Sequence, residues 1–189
     1  MKKFNFKKII TMGIAAVIAV SAMSISAFAA DKTETSNIVV DENTPVGTKF
    51  ELASGFTLEV IDEETFDKIQ AKIDRMDMAR ATDYHWSYSN ISVLSNPFNT
   101  SFKLTKTYPY YHTVLKNTQS SSTYTTMAVF KGTDYAEDVP VYGGAIVALY
   151  NRKALSAGTY NFRLSSTKSM SGSVSGFVAE TYSEVGFQG

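Results

Sequence analysis

The sequence predicts a mainly β protein: an antiparallel β-sandwich, jelly-roll or immunoglobulin-like, preceded by one amphipathic helix. Three observations carry the prediction. After Thr82, eight short β-rich segments follow one another with turn residues between them, the pattern of two stacked antiparallel sheets. Within them, Tyr142 to Phe162 reads as two strands and their turns. Ahead of them, residues 62–80 carry apolar side chains at helical spacing,.

In that central stretch, Gly143-Gly144 opens an apolar run from Ala145 to Tyr150 that is short and β-branched, which suits a buried strand better than a helix,. Asn151 to Ala157 closes the run. Gly158 supplies a turn conformation that a Cβ would disfavour, and the chain then alternates so that Tyr160, Phe162 and Leu164 share one face,.

Taken in order, the first 29 residues read as a secretory signal peptide. Lys2, Lys3, Lys7 and Lys8 precede an apolar core from Ile9 to about Val20, and small residues end in Ala27-Phe28-Ala29,. Cleavage is expected after Ala29. The apolar run is short and is diluted by Ser21, Ser24 and Ser26, so no stable membrane insertion is expected once the peptide is cut. The C-terminus shows no wall-sorting pattern, and a released, extracellular product is expected. Residues 30–44 are polar and read as a flexible leader,.

Residues 45–80 read as a short strand or hairpin plus a helix. Phe50, Leu52, Phe56, Leu58 and Val60 suggest that strand or hairpin around Ser54-Gly55,. Asp62 is suited to cap the helix, and Glu63 and Glu64 favour its positive end,. Phe66, Ile69, Ile73 and Met76 make one apolar stripe, with Lys68, Lys72 and Arg75 off it,. That stripe fits a helix packed on the sandwich, or a partner-binding or removable pro-segment helix.

Residues 81–189 form the expected sandwich domain. Its strand candidates are Tyr84–Val93, Thr100–Thr107, Tyr110–Asn117, Thr123–Lys131, Val139–Tyr142, Ala145–Tyr150, Thr159–Ser165 and Gly172–Tyr182. Leu155-Ser156-Ala157-Gly158-Thr159-Tyr160-Asn161-Phe162-Arg163-Leu164 resembles the late L-x-A-G-T-Y turn-and-strand of bacterial pre-peptidase C-terminal modules and related secreted β-sandwiches, and Thr126–Lys131 resembles the strand before it. The resemblance spans about residues 123–182 and implies a jelly-roll-like, non-catalytic accessory module. The chain departs from that pattern in carrying no enzyme domain.

Composition narrows the chemistry. The absence of cysteine excludes disulfides, thiol catalysis and a lipid-modified cysteine,. Residues 31–80 carry a net charge of −6 and residues 81–189 only +2, which is no nucleic-acid footprint. His85 and His112 are the only histidines, no G-x-S-x-G turn exists, and Ser165-Ser166-Thr167-Lys168 sits in a turn rather than at a helix start,. Carboxylates are sparse beyond the helix, so an enzyme is not expected.

Aromatic residues supply the binding candidates. Tyr84, Trp86 and Tyr88 alternate along one strand, a row that fits ordinary sheet core ahead of a stacking platform, and Tyr108-Pro109-Tyr110-Tyr111-His112 clusters where proline implies an edge or bend,. Tyr108, Tyr110, Tyr111, His112 and Trp86 are therefore the candidate ligand-binding residues. Asp134, Glu137 and Asp138 offer oxygen ligands that suit calcium, although a solvated acidic turn explains them equally; no other cofactor is expected,. The function expected is an interaction module for a surface, glycan or protein partner. A secreted bacteriocin- or toxin-like effector, trimmed near Arg80 from its acidic pro-segment, is the alternative.

Overall fold

The computed structural model describes residues 38–79, 87–91, 95–133 and 138–185. In chain order the elements are β1 (Lys49–Glu51), β2 (Thr57–Val60), α1 (Glu63–Ala79), β3 (Ser87–Ile91), β4 (Phe98–Leu104), β5 (Tyr110–Asn117), β6 (Tyr124–Lys131), β7 (Asp138–Tyr142), β8 (Ile146–Tyr150), β9 (Gly158–Ser165), β10 (Gly172–Ala179) and α2 (Tyr182–Val185). Each of the eight strand candidates after Thr82 corresponds to one of β3 to β10, Tyr110–Asn117 end to end and the others with one or both ends shifted. The hairpin and the helix lie where apolar spacing and the Asp62 cap place them; Asp62 Oδ1 accepts the Thr65 N–H at 2.8 Å.

The strands form two antiparallel sheets, ordered β1-β2-β8-β5-β10-β3 and β4-β9-β6-β7. Within this, β3-β10-β5-β8 faces β4-β9-β6-β7, so the chain repeatedly crosses between sheets. That is the double Greek-key connectivity of a jelly roll. The β1–β2 hairpin extends one sheet, with β2 paired along β8 from Thr57↔Tyr150 to Val60↔Val147.

Alternation along each strand decides what meets between the sheets. Phe102 stacks on Tyr111 with centroids 3.8 Å apart, and Phe56 meets Tyr111 edge-on at 6.0 Å. Tyr160, Phe162 and Leu164 are all buried in this core. Val40, in the stretch expected to be a flexible leader, is fully buried there too. Its N–H donates to the Pro140 carbonyl at 3.0 Å and its carbonyl accepts the Tyr142 N–H at 2.7 Å. An apolar side chain with a core slot outweighs the polarity of its neighbours.

On the other side of the six-stranded sheet, α1 and α2 cover a second cluster. Phe66, Ile69 and Ile73 of α1 pack with Val114, Ala148, Phe177, Ala179 and Val185. Each such side chain contributes roughly 1.5–3 kcal/mol of burial. A Glu63–Lys116 ion pair fixes the start of α1 against β5.

Two glycines are set by close approach. A Cβ on Gly143 would lie 2.1 Å from the Gln119 carbonyl oxygen, so only glycine lets the 119–120 backbone pass the β7–β8 turn,. Gly176 lies beside a register shift between β10 and β3, and a Cβ there would lie 2.7 Å from the Tyr88 hydroxyl. That hydroxyl bonds the Tyr111 hydroxyl at 3.0 Å and also reaches Thr113 Oγ1. Thr113 in turn donates to the Ser175 carbonyl at 2.8 Å.

Gly176→Ala is expected to destabilise the protein by about 1–3 kcal/mol in urea unfolding. The cost should persist in a Tyr88→Phe background, because the ring carbon Cζ at 2.8 Å and the His112 carbonyl oxygen at 2.9 Å remain as obstacles,.

Candidate functional site

β5 lies at the centre of the six-stranded sheet, and Pro109 precedes the strand rather than marking an edge. Alternation therefore divides the Tyr108–His112 cluster between two faces. Tyr111 points into the inter-sheet core, where burial pushes its phenol well above the usual range. His112 points the opposite way, 2% exposed, with Tyr150 at 5.7 Å and Phe177 at 5.5 Å. Burial, followed by the nearby Lys72 ammonium, pushes its pKa down to about 3, against a hydrogen bond with the Val185 backbone that raises it. It is a neutral imidazole at physiological pH. Tyr110 is half-buried on the helix side, 6.2 Å from Tyr182, and Tyr108 is half-buried against the inter-sheet core.

Trp86, Asp134 and Glu137 lie outside the described residues, as do the processing positions Ala29 and Arg80. Asp138 opens β7, exposed, with its carboxylate 3.7 Å from the Arg163 guanidinium. Among the described residues, no group of three or more His, Asp or Glu is placed to hold a metal ion.

The surface that does bring binding chemistry together is the outer face of the four-stranded sheet. Its outward residues form rows across the strands. Tyr124 lies opposite Tyr142, with centroids 5.3 Å apart and planes tilted by 46°. One row on, Thr126 lies between Ser165 and Pro140. The next row runs Asn99, Arg163, Ala128, Asp138, and the one after it Ser101, Asn161, Phe130. Solvent reaches Asn99, Ser101, Lys103, Tyr124, Asp138 and Thr159.

Local bonds hold this face in shape. Ser101 Oγ donates to Asn161 Oδ1 at 2.7 Å, and Asn161 Nδ2 donates to the Gly132 carbonyl at 3.0 Å. The Arg163 guanidinium lies 5.7 Å from the centroid of Phe130. Along β6, Ala128 is buried between Tyr124 and Phe130. Those two aromatics are six residues apart, about 20 Å along a strand. The chemistry offered is stacking, amide and hydroxyl hydrogen bonding, and a guanidinium largely offset by a carboxylate.

Sequence reading missed Tyr124, Tyr142, Asn161 and Arg163 as surface residues. A signal existed in strand parity: Thr125, Met127 and Val129 are the buried set, which turns Tyr124, Thr126 and Phe130 outward.

A second concavity of about 390 Å³ lies between α1, α2 and the turn at Val46-Gly47, with Ile69, Lys72, His112, Phe177 and Glu184 in its lining. Its carboxylates are engaged. Glu59 accepts from the Tyr150 hydroxyl at 2.7 Å, and Glu184 Oε2 accepts the Glu180 and Thr181 N–H groups at 2.9 and 3.2 Å. Lys72 donates to the Glu184 carbonyl and lies 5.5 Å from the Phe177 centroid. Acid, base and nucleophile do not converge there.

Tyr111→Ala is expected to cost about 3–5 kcal/mol in denaturant unfolding, as a core aromatic truncation, whereas Tyr110→Ala costs distinctly less. Equal, small costs would place Tyr111 outside the core. Comparison with protein-family models, curated proteins and solved structures finds no match to this chain.

Proposed function

We propose that the chain is a secreted, non-catalytic jelly-roll module that binds a neutral surface glycan across the outer face of its four-stranded sheet. The observation that carries this reading is the juxtaposition of the solvent-facing Tyr124–Tyr142 pair with the Asn99, Ser101, Asn161 and Arg163 rows. Sugar rings present apolar C–H faces that stack on aromatics and hydroxyls that pair with amide, hydroxyl and guanidinium groups. Charge supports a neutral ligand. Arg163 is offset by Asp138, so the face lacks the cationic array that an anionic polymer needs. The signal-peptide pattern ending at Ala29 supports export,. The resemblance of Leu155–Leu164 to pre-peptidase C-terminal modules supports an accessory, non-catalytic role.

The alternative, an effector released by cutting near Arg80, fits the structure less well. Val40, Leu52, Phe56, Leu58 and Val60 are buried in the inter-sheet core. Removing residues up to Arg80 would strip that core, so the trimmed remainder is a damaged sandwich rather than a matured one.

The test is calorimetric titration of the secreted protein with neutral and with charged cell-surface polysaccharides. Binding to a neutral polysaccharide is expected, weakened roughly fivefold or more by either Tyr124→Ala or Tyr142→Ala, a loss of about 1 kcal/mol. Tyr110→Ala, on the other sheet, should leave affinity unchanged. Failure to bind any neutral polysaccharide, or full affinity in the Tyr124→Ala/Tyr142→Ala double variant, ends this reading.

A further inference from the structure

We propose that α1 is an acid-sensitive cover on the six-stranded sheet, released as a unit while the sandwich beneath it stays closed. The buried side chains divide into two separate clusters. Among the described residues, the inter-sheet core contains no α1 side chain, and Phe66, Ile69 and Ile73 belong wholly to the outer cluster. Undocking α1 therefore leaves the jelly roll's own contacts intact.

The α1–sheet contact is also the less well satisfied of the two. The Gln70 amide is buried with no hydrogen-bond partner at either its nitrogen or its oxygen. Ser175 Oγ, on the strand face that carries Phe177 and Ala179, is buried without a partner as well. Each unmade bond offsets part of what apolar burial contributes. The concavity of about 390 Å³ lies along the same contact and gives solvent a path to its interior.

His112 is the group through which acid acts. From α1 it faces the Lys72 ammonium, with Lys68 further along the concavity; from α2 it faces the Val185 carbonyl and Glu184. From β2 it faces Glu59, from β8 the Tyr150 phenol, and from β10 the uncharged Phe177 ring. The Glu184 carboxylate is turned to the Glu180 and Thr181 N–H groups, and that of Glu59 to Tyr150 and Lys49. An imidazolium formed there meets the Lys72 ammonium in a desolvated setting.

The direction follows from linkage. Docked His112 titrates near about 3, whereas an undocked, hydrated histidine titrates near about 6.5,. The undocked form binds the extra proton, so docking is fully favoured above about pH 6.5 and weakens as pH falls towards about 3. Between those limits one linked proton lowers the docked-to-undocked ratio about tenfold per pH unit.

Hydrogen exchange on the full secreted chain between pH 6.5 and 5 tests this. After correction for intrinsic exchange, protection of α1 amides should fall roughly fifteenfold over that range, while protection of β5 and β10 amides holds. His112→Phe should abolish the α1 slope. His112→Gln, which is polar but does not titrate, should abolish it likewise, and carries the test if His112→Phe does not fold. Three results overturn the proposal: α1 protection flat with pH, α1 and β5 losing protection together, or an undiminished slope in both variants.

Discussion

A central strand buried on both faces is the constraint on which the rest of this structure depends. β5 has β8 on one side and β10 on the other, paired through His112↔Tyr150 and His112↔Phe177. Residues Tyr111 to Leu115 are all buried as a result. Tyr111 and Leu115 require the second sheet above them, and His112 and Val114 require the helices below. Asn151 locks the arrangement at one end: its Oδ1 accepts the Tyr111 N–H at 2.7 Å, while its Nδ2 donates to the Pro109 and Lys153 carbonyls. A fully buried amide using three bonds in this way fixes the β8–β9 loop against the start of β5,.

The same constraint explains what was legible in the sequence. Local signals marked the elements. Alternation at Thr159–Leu164, the Gly143-Gly144 turn and the Asp62 cap all depend on nearest neighbours, and each is realised in the fold. Strand order was not legible, because pairings such as Val174↔Leu115 join residues far apart in the chain. Double-sided burial was the costliest omission. A Tyr-Pro-Tyr-Tyr-His run reads as exposed if its strand is an edge, but at a sheet centre the same residues are divided between two interiors. Val40 was missed for a related reason, since one apolar residue in a polar stretch gives no period to detect. The acidic loop and Trp86 fall outside the described residues.

The two sheets differ in what their outer faces can tolerate. On the six-stranded sheet, Val114, Ala148, Phe177 and Ala179 point outward and must be covered, because a contiguous apolar strip in water invites association. On the four-stranded sheet the corresponding positions are Asn99, Ser101, Thr159, Asn161 and Arg163, with Tyr124 and Tyr142 beside them. That face is stable in water without a cover. The helix is therefore a requirement of one sheet's composition, and the open face is a consequence of the other's.

The asymmetry also separates rigidity from adjustability. Stacking of Phe102 on both Tyr111 and Tyr160 ties the two sheets together, so the outer face of the four-stranded sheet rests on close-packed strands. The helix side has a concavity, an unbonded Gln70 amide and a neutral histidine beside an ammonium. Those features lower the free energy needed to open that side without touching the inter-sheet core. Local opening takes the least stable cooperative unit first, and the proposed release of α1 places that unit at the cover. Among the described residues no side chain is common to the two buried clusters, so the helix cover and the Tyr124–Tyr142 face are packed independently.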